Sequence, residues 1–232
     1  MKALKVKEQK NHFEGHRARL KDRFASLGVD GLADYELLEL LLTYAIPRRD
    51  VKPIAKGLIL HFGSLAKVFE AEKHELTEVD GIGEHVAALL ILCSALGVHT
   101  SKSKLQEKPH MNNLDAVILY LHSRMDSLKH EEFHALFFDA KNGLIADETL
   151  FKGSTTGSAV YPKEVIRKAL AHGASALIIA HNHPSGDTSP SPEDEEVTMR
   201  IAQAGMIMDI TLHDHLIIGK KGHYSFAENG KL

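Results

Sequence analysis

The chain has 232 residues, 44% hydrophobic and 25% charged, a composition ordinary for globular protein and long enough for one large domain or two small ones. One cysteine, Cys93, excludes an internal disulfide and suits a reducing, cytoplasmic compartment. No secretory signal is read at the charged N-terminus, and the apolar stretch Ala87 to Val98 falls short of the about 20 residues that cross a bilayer.

The net charge of −3 hides an asymmetry: residues 1–23 carry eight Lys or Arg against three acids, a local charge of +5. This basic arm is either a solvated terminus or a phosphate-seeking tail. From Gly31 to Val98 apolar residues recur at helix spacing in "LADYELLELLLTYAI" and "VKPIAKGLILHFGSLAKVF", broken at Pro47, Pro53 and Gly63. "LTEVDGIGEHVAALL", Leu76 to Leu90, has the form of a helix-hairpin-helix. The backbone N–H groups of Gly81, Ile82 and Gly83 could accept a DNA phosphate there. Glu84 and His85 follow where DNA-binding versions often carry a basic residue, so a packing or partner-binding turn stands beside the DNA reading. Residues 1–98 are expected to form an all-helical domain, and the polar stretch 99–112 a linker.

Beyond the linker the pattern becomes mixed α/β. A helix is predicted near Leu114 to Arg124, then a hairpin of "FHALFFDA" and "LIADETLF" around "KNG", where Asn-Gly accepts positive φ. "YPKEVIRKALAHG" reads as a helix with Pro162 in its first turn and Gly173 past its end. "ASALIIA" reads as a buried strand, a helix starts near Pro192, and "MDITLHDHLIIG" with "HYSFAE" supplies the closing strands.

Chemistry concentrates in "AHNHPSGDTSPSPED", Ala180 to Asp194. Residues i and i+2 of a strand share a side, so His181 and His183 can aim two imidazoles at one point. That is half of a zinc site, and Asp194 is the natural third ligand. "SPED" also reads as a helix start, with Ser191 as N-cap, Pro192 at N1 and Asp194 at N3. Both roles can hold together.

His-x-His, seven residues, then Ser-x-x-Asp resembles the signature of the JAMM (MPN+) zinc metalloproteases. "HNHPSGD", with "VYPKEV" upstream and "DHLIIG" downstream, is similar to the RadC family within that group, whose members also carry an N-terminal helix-hairpin-helix region. The resemblance implies an α/β JAMM domain, MPN-like with cytidine-deaminase-like layers, over residues 113–232. It implies Zn²⁺ bound by His181, His183 and Asp194, with Ser191 helping to hold an oxyanion and an upstream Glu activating water. "KHEEFHALFF" offers Glu131 and Glu132, and the family's Glu-x-Phe spacing selects Glu131. "HDH", His213 to His215, repeats the histidine spacing; Asp214, placed by alternation on the side of Leu212 and Leu216, is expected to hydrogen-bond structurally or to orient a histidine ligand.

Three functions follow from the resemblance: a zinc hydrolase cleaving peptide or isopeptide bonds, a zinc-dependent DNA nuclease, and a non-catalytic DNA-repair accessory protein. The expected partners are DNA through the N-terminal half and a protein or peptide substrate, with no membrane.

Overall fold

A computed structural model describes residues 2–107, 114–153, 160–220 and 222–232, with side chains described from Gly15 onward except over 104–107. The chain divides into two compact units, Met1–Leu96 and Gly97–Leu232.

Among the described residues the first unit is helical throughout. Its helices are α1 (Lys2–Leu27), α2 (Asp34–Ala45), α3 (Lys52–Phe62), α4 (Leu65–Glu70), α5 (Lys73–Thr77) and the start of α6 (Glu84–Glu107). The apolar positions of α2, α3 and α6 that follow the 3.6-residue period form one core, with Leu38, Leu42, Ile54, Leu58, Val86 and Leu90 at its centre. The basic arm is helical, and part of it serves the fold. Leu20 is buried against Leu32 and Leu40. Arg17 donates to the carbonyl oxygens of Ile46, Pro47 and Arg49, and Arg23 makes a forked pair with Glu36.

Part of the expected linker is helix, because α6 runs on to Glu107. The stretch His99 to Glu107 is polar but holds no Gly or Pro, and its Lys, Leu, Gln and Glu are good helix formers. The rest of that stretch, 108–112, lies outside the described residues. The longer helix also revises the span reading: over Glu84–Ser103 it is long and apolar enough to cross a bilayer by length and composition alone. Core helices pass the same test, and Val86, Ala87 and Leu90 are core residues here, but only 17% of the apolar window is buried.

The second unit is a five-stranded mixed sheet with helices on both faces. After α7 (Leu114–Met125) come β1 (Glu132–Phe138), β2 (Leu144–Lys152), α8 (Pro162–His172), β3 (Ala176–Asn182), α9 (Pro192–Ile207), β4 (Thr211–Gly219) and β5 (Gly222–Ser225). The strand order is β2-β1-β3-β4-β5, in which β3 and β4 alone run parallel. Alternation along β1 and β3 separates two cores. Leu136, Phe138, Ile178 and Ala180 meet α7, while Ala135, Phe137, Leu177 and Ile179 meet α8 and α9. The hairpin turns at Asn142, which takes φ +61°.

One expectation about β4 fails for a geometric reason. Leu177 pairs with Leu212 but Ile178 with Asp214, so His213 is an extra residue in the strand. This bulge reverses the alternation. Leu212 packs with the α8 and α9 side and Leu216 with the α7 side, so they do not share a face.

Candidate metal centre

The centre lies where β3 ends and α9 begins. All seven residues of β3 are buried, and the strand runs two residues past the expected "ASALIIA" to include His181 and Asn182. His183 extends the ladder by donating its N–H to the Ile218 carbonyl at 2.8 Å, so both histidines keep the strand's two-residue period. Their Nε2 atoms lie 3.0 Å apart. The connecting loop is held down at Gly219, where a Cβ would meet the Gly186 carbonyl oxygen at 2.8 Å and the Thr188 methyl at 2.6 Å.

α9 opens with Ser191 and Asp194 bonded as a capping box. The Ser191 N–H and hydroxyl both donate to Asp194 Oδ2, at 2.8 and 2.7 Å, and the Asp194 N–H donates to Ser191 Oγ at 3.1 Å. One oxygen is thus occupied by the cap. The other, Oδ1, faces His181 Nε2 at 3.3 Å, while Oδ2 is 3.9 Å from His183 Nε2. Burial acts to raise the Asp194 pKa, but the His181 ring, when protonated, and the Ser191 donors outweigh it and leave the carboxyl well below the usual range. The capping and ligand readings therefore meet in one side chain, on different oxygens.

Glu131, just before β1, brings a carboxylate oxygen within 4.8 Å of ring nitrogens of His181 and His183, and its side chain is exposed. Glu132 points elsewhere, to His134 Nε2 at 3.2 Å and Lys152 Nζ at 3.1 Å. The Glu-x-Phe spacing separates them because Phe133, two residues after Glu131, pairs in register with His181 and stacks on its ring. Potential ligand atoms of Glu131, His181 and His183 all lie within 4.8 Å of one another, Asp194 flanks both histidines, and among the described residues "HDH" forms no second such cluster.

The donor set passes a chemical test for a cation. His183 Nδ1 is 2.6 Å from the Asp187 carbonyl oxygen, which can only accept, so Nδ1 carries the ring proton and Nε2 is left bare in the neutral ring. A bare ring nitrogen, a second imidazole and carboxylate oxygens converging this closely suit zinc, with its preference for nitrogen and oxygen ligands.

Asn182 and Thr198 escaped the reading of the sequence, as did the place of His215 beside His181. Asn182, between the two histidines, accepts from the Glu132 N–H at 2.8 Å and donates to the His130 carbonyl at 3.0 Å. His215 Nε2 lies 2.9 Å from His181 Nδ1, and Thr198 Oγ1 lies 2.5 Å from His215 Nδ1. Complete burial, then the charge of His181, hold the His215 pKa well below its ordinary value. Asp214 is structural, accepting from the His215 and Ala227 N–H groups and the Ser225 hydroxyl. The Asp194, Thr198, Ile201 stripe at helix spacing was available as a signal for Thr198. The register that sets His215 beside His181 was not.

In the first unit, Gly81 takes φ +87° and Ile82 is buried. The Ile82 N–H donates to the Val79 carbonyl, which leaves the Gly81 and Gly83 N–H groups for an outside acceptor. A cation from another loop lies near this turn: a Cβ on Gly81 would lie 3.6 Å from Arg49 Nη1.

Two histidines and two carboxylates at the C-terminal end of a parallel strand, backed by a mixed sheet, define an α/β domain with a candidate metal-binding centre. Residues 111–231 match the family model of the RadC-like JAB domain, and residues 15–88 match that of the UPF0758 N-terminal domain. The chain belongs to the RadC-like JAB domain family, a JAMM-type family compatible with metallohydrolases.

Proposed function

We propose that residues 113–232 act as a zinc-dependent hydrolase of JAMM type that cleaves peptide or isopeptide bonds, in a protein associated with DNA repair. The observation that carries this reading is the convergence of His181 Nε2 and His183 Nε2, 3.0 Å apart, with Asp194 Oδ1 3.3 Å from the former. His181, His183 and Asp194 would hold the ion, and three protein ligands leave a fourth position open for chemistry. When bound, zinc would supply Lewis acidity and lower the pKa of a coordinated water to about 7.

The remaining work falls to side chains. Asp194 suits a ligand because the capping box fixes its carboxylate. Glu131 suits a general base because its side chain is exposed beside the histidines; it takes the proton of the attacking water and passes it to the leaving nitrogen. Ser191 helps hold the oxyanion once its hydroxyl turns from Asp194 Oδ2.

Charge favours peptide over phosphodiester: residues 110–232 carry 11 Lys or Arg against 16 Asp or Glu, a net of −5 that repels a polyanion. The deciding assay sets the zinc-loaded protein against a peptide and isopeptide library and labelled DNA structures, with Glu131→Gln as the blank. Glu131-dependent peptide cleavage supports the hydrolase. Glu131-dependent DNA cleavage would replace it with the nuclease, and no cleavage at full zinc occupancy would leave the accessory role.

A second reading concerns the first unit, as a weak, sequence-independent DNA-binding surface. Arg49 beside the Gly81 hairpin favours it, since a cation there complements the open N–H groups of Gly81 and Gly83.

A further inference from the structure

We propose that Thr198 and His215 are positioning residues that fix the protonation form of His181, so that its Nε2 lone pair is free for the metal. The inference rests on the metal-site reading above and adds two residues to it.

The direction of each hydrogen bond follows from what its atoms can do. Thr198 Oγ1 lies 2.5 Å from the Asp194 backbone carbonyl and 2.5 Å from His215 Nδ1. A carbonyl only accepts, and a hydroxyl has one proton, so that proton goes to Asp194. Toward His215 the hydroxyl oxygen must accept. His215 Nδ1 therefore carries a proton, and in a neutral ring its Nε2 is a bare acceptor. That atom faces His181 Nδ1 across 2.9 Å, so His181 Nδ1 must donate. His181 Nε2 is then left bare, 3.0 Å from His183 Nε2 and 3.3 Å from Asp194 Oδ1.

The surroundings make this direction hard to reverse. Thr198 and His181 are 1% exposed and His215 is 0% exposed, so water has no ready access to replace a missing partner. The His215 ring stacks on Phe226 at 4.8 Å and meets Phe133 at 5.8 Å, and Phe133 stacks in turn on His181. The relay joins the element that carries Asp194 to the strand that carries His181 by way of β4. One hydroxyl thereby ties the helix that carries Asp194 to the histidine that faces His181.

Removing the hydroxyl should move a proton onto the ligand atom. Without Thr198 Oγ1, a proton on His215 Nδ1 would be buried and unpaired, which is costly in the absence of water. Shifting it to Nε2 relieves that cost. His215 would then donate to His181 Nδ1, and the proton of a neutral His181 would sit on Nε2, where the metal binds.

The test has two readouts on the full chain. In zinc-free protein with ¹⁵N-labelled histidine, at a pH high enough for the rings to be neutral, the NMR spectrum should show His181 and His215 protonated at Nδ1 and bare at Nε2. By competition with a chromogenic chelator, Thr198→Val should weaken zinc binding by about 10-fold, the low end of the range for disturbing a hydrogen-bond partner of a metal ligand. Thr198→Ser, which keeps the hydroxyl, should restore both signals. A wild-type spectrum with the His181 proton on Nε2 overturns the relay, as does Thr198→Val with unchanged zinc affinity. The wild-type spectrum decides even where Thr198→Val does not fold. Wild-type protein that binds no zinc would sink the metal reading separately, with the spectrum still judging the relay.

Discussion

Asn182 holds Glu131 from both sides: its Oδ1 accepts the N–H of the residue after Glu131 at 2.8 Å, and its Nδ2 donates to the carbonyl of the residue before it at 3.0 Å. The Glu131 carbonyl itself accepts from the Gly153 N–H at 2.6 Å. The exposed carboxylate thus moves on a pinned backbone, which suits the general-base role proposed for it. Asn182→Ala should lower turnover by up to about 100-fold, the effect expected of a misplacement near 1 Å. Zinc stoichiometry should stay at the wild-type value, because Asn182 touches none of the proposed ligands. Loss of zinc together with activity would show that Asn182 supports the ligands rather than the base.

Ser191 and Asp194 separate the two roles that share the start of α9. Ser191→Ala removes the side-chain cap and should cost about 1 kcal/mol of stability while zinc binding persists, since the Ser191 backbone N–H still holds Asp194 Oδ2. Asp194→Ala should lose zinc as His181→Ala and His183→Ala do, read by elemental analysis against about one zinc per chain in the wild type. If Asp194→Ala keeps full occupancy and only melts earlier, Asp194 is a cap alone.

Three buried or half-buried histidines make the zinc-free protein acid-sensitive. Burial lowers the pKa of His134, His213 and His215, aided by the Arg124 charge at His134 and the His181 charge at His215. In the unfolded chain each takes up a proton near pH 6.5, where the native state resists it. Stability contributed by keeping them neutral is therefore present above about pH 6.5 and is lost as pH falls from there toward the folded values. Asp194, held well below the usual carboxylate range, adds its loss only in stronger acid. Thermal melts with a chelator should show the midpoint falling between pH 7.5 and 5.5, and His134→Gln should reduce that fall. A flat profile would contradict it.

The sequence carried the parts of the centre that local rules encode. A two-residue strand period aimed His181 and His183 together, and a helix-start pattern placed Ser191 and Asp194, because each depends on neighbours along the chain. Glu131 needed a spacing learned from the family, since strand alternation alone cannot say which carboxylate faces the histidines. His215 and Thr198 depend on the pairing of β3 with β4 and on the bulge at His213, which are tertiary facts. Asp214 drew attention because a buried carboxylate must be explained, yet its donors proved to be Ser225 and two backbone N–H groups. The linker misled for a related reason: polar composition marks exposure, and an exposed helix has it too.

DNA binding by the first unit can be tested at Gly83 and Arg49 without disturbing the fold. Gly81 is a poor target, because it takes φ +87° and a Cβ there would meet Ile54 Cδ1 at 2.9 Å. Gly83 has open space around its Cβ position, so Gly83→Val probes the approach of a phosphate to the backbone rather than packing. Deleting residues 1–23 would confound binding with folding, since Arg17, Leu20 and Arg23 hold the helices together. Arg48 and Arg49 are exposed, and the exchange Arg48→Glu with Arg49→Glu leaves intact the Arg49 carbonyl that Arg17 binds. The wild-type chain should bind duplex or branched DNA weakly, with affinity falling as salt rises because counterions are released. Gly83→Val should weaken binding, and the double charge reversal should both weaken it and flatten the salt dependence by about one unit of slope for each phosphate no longer neutralised. Fluorescence anisotropy over a salt series reads both effects. Binding unchanged in both variants would remove the hairpin from the interface and, with residues 110–232 at a net charge of −5, would leave the chain without the DNA surface proposed for it.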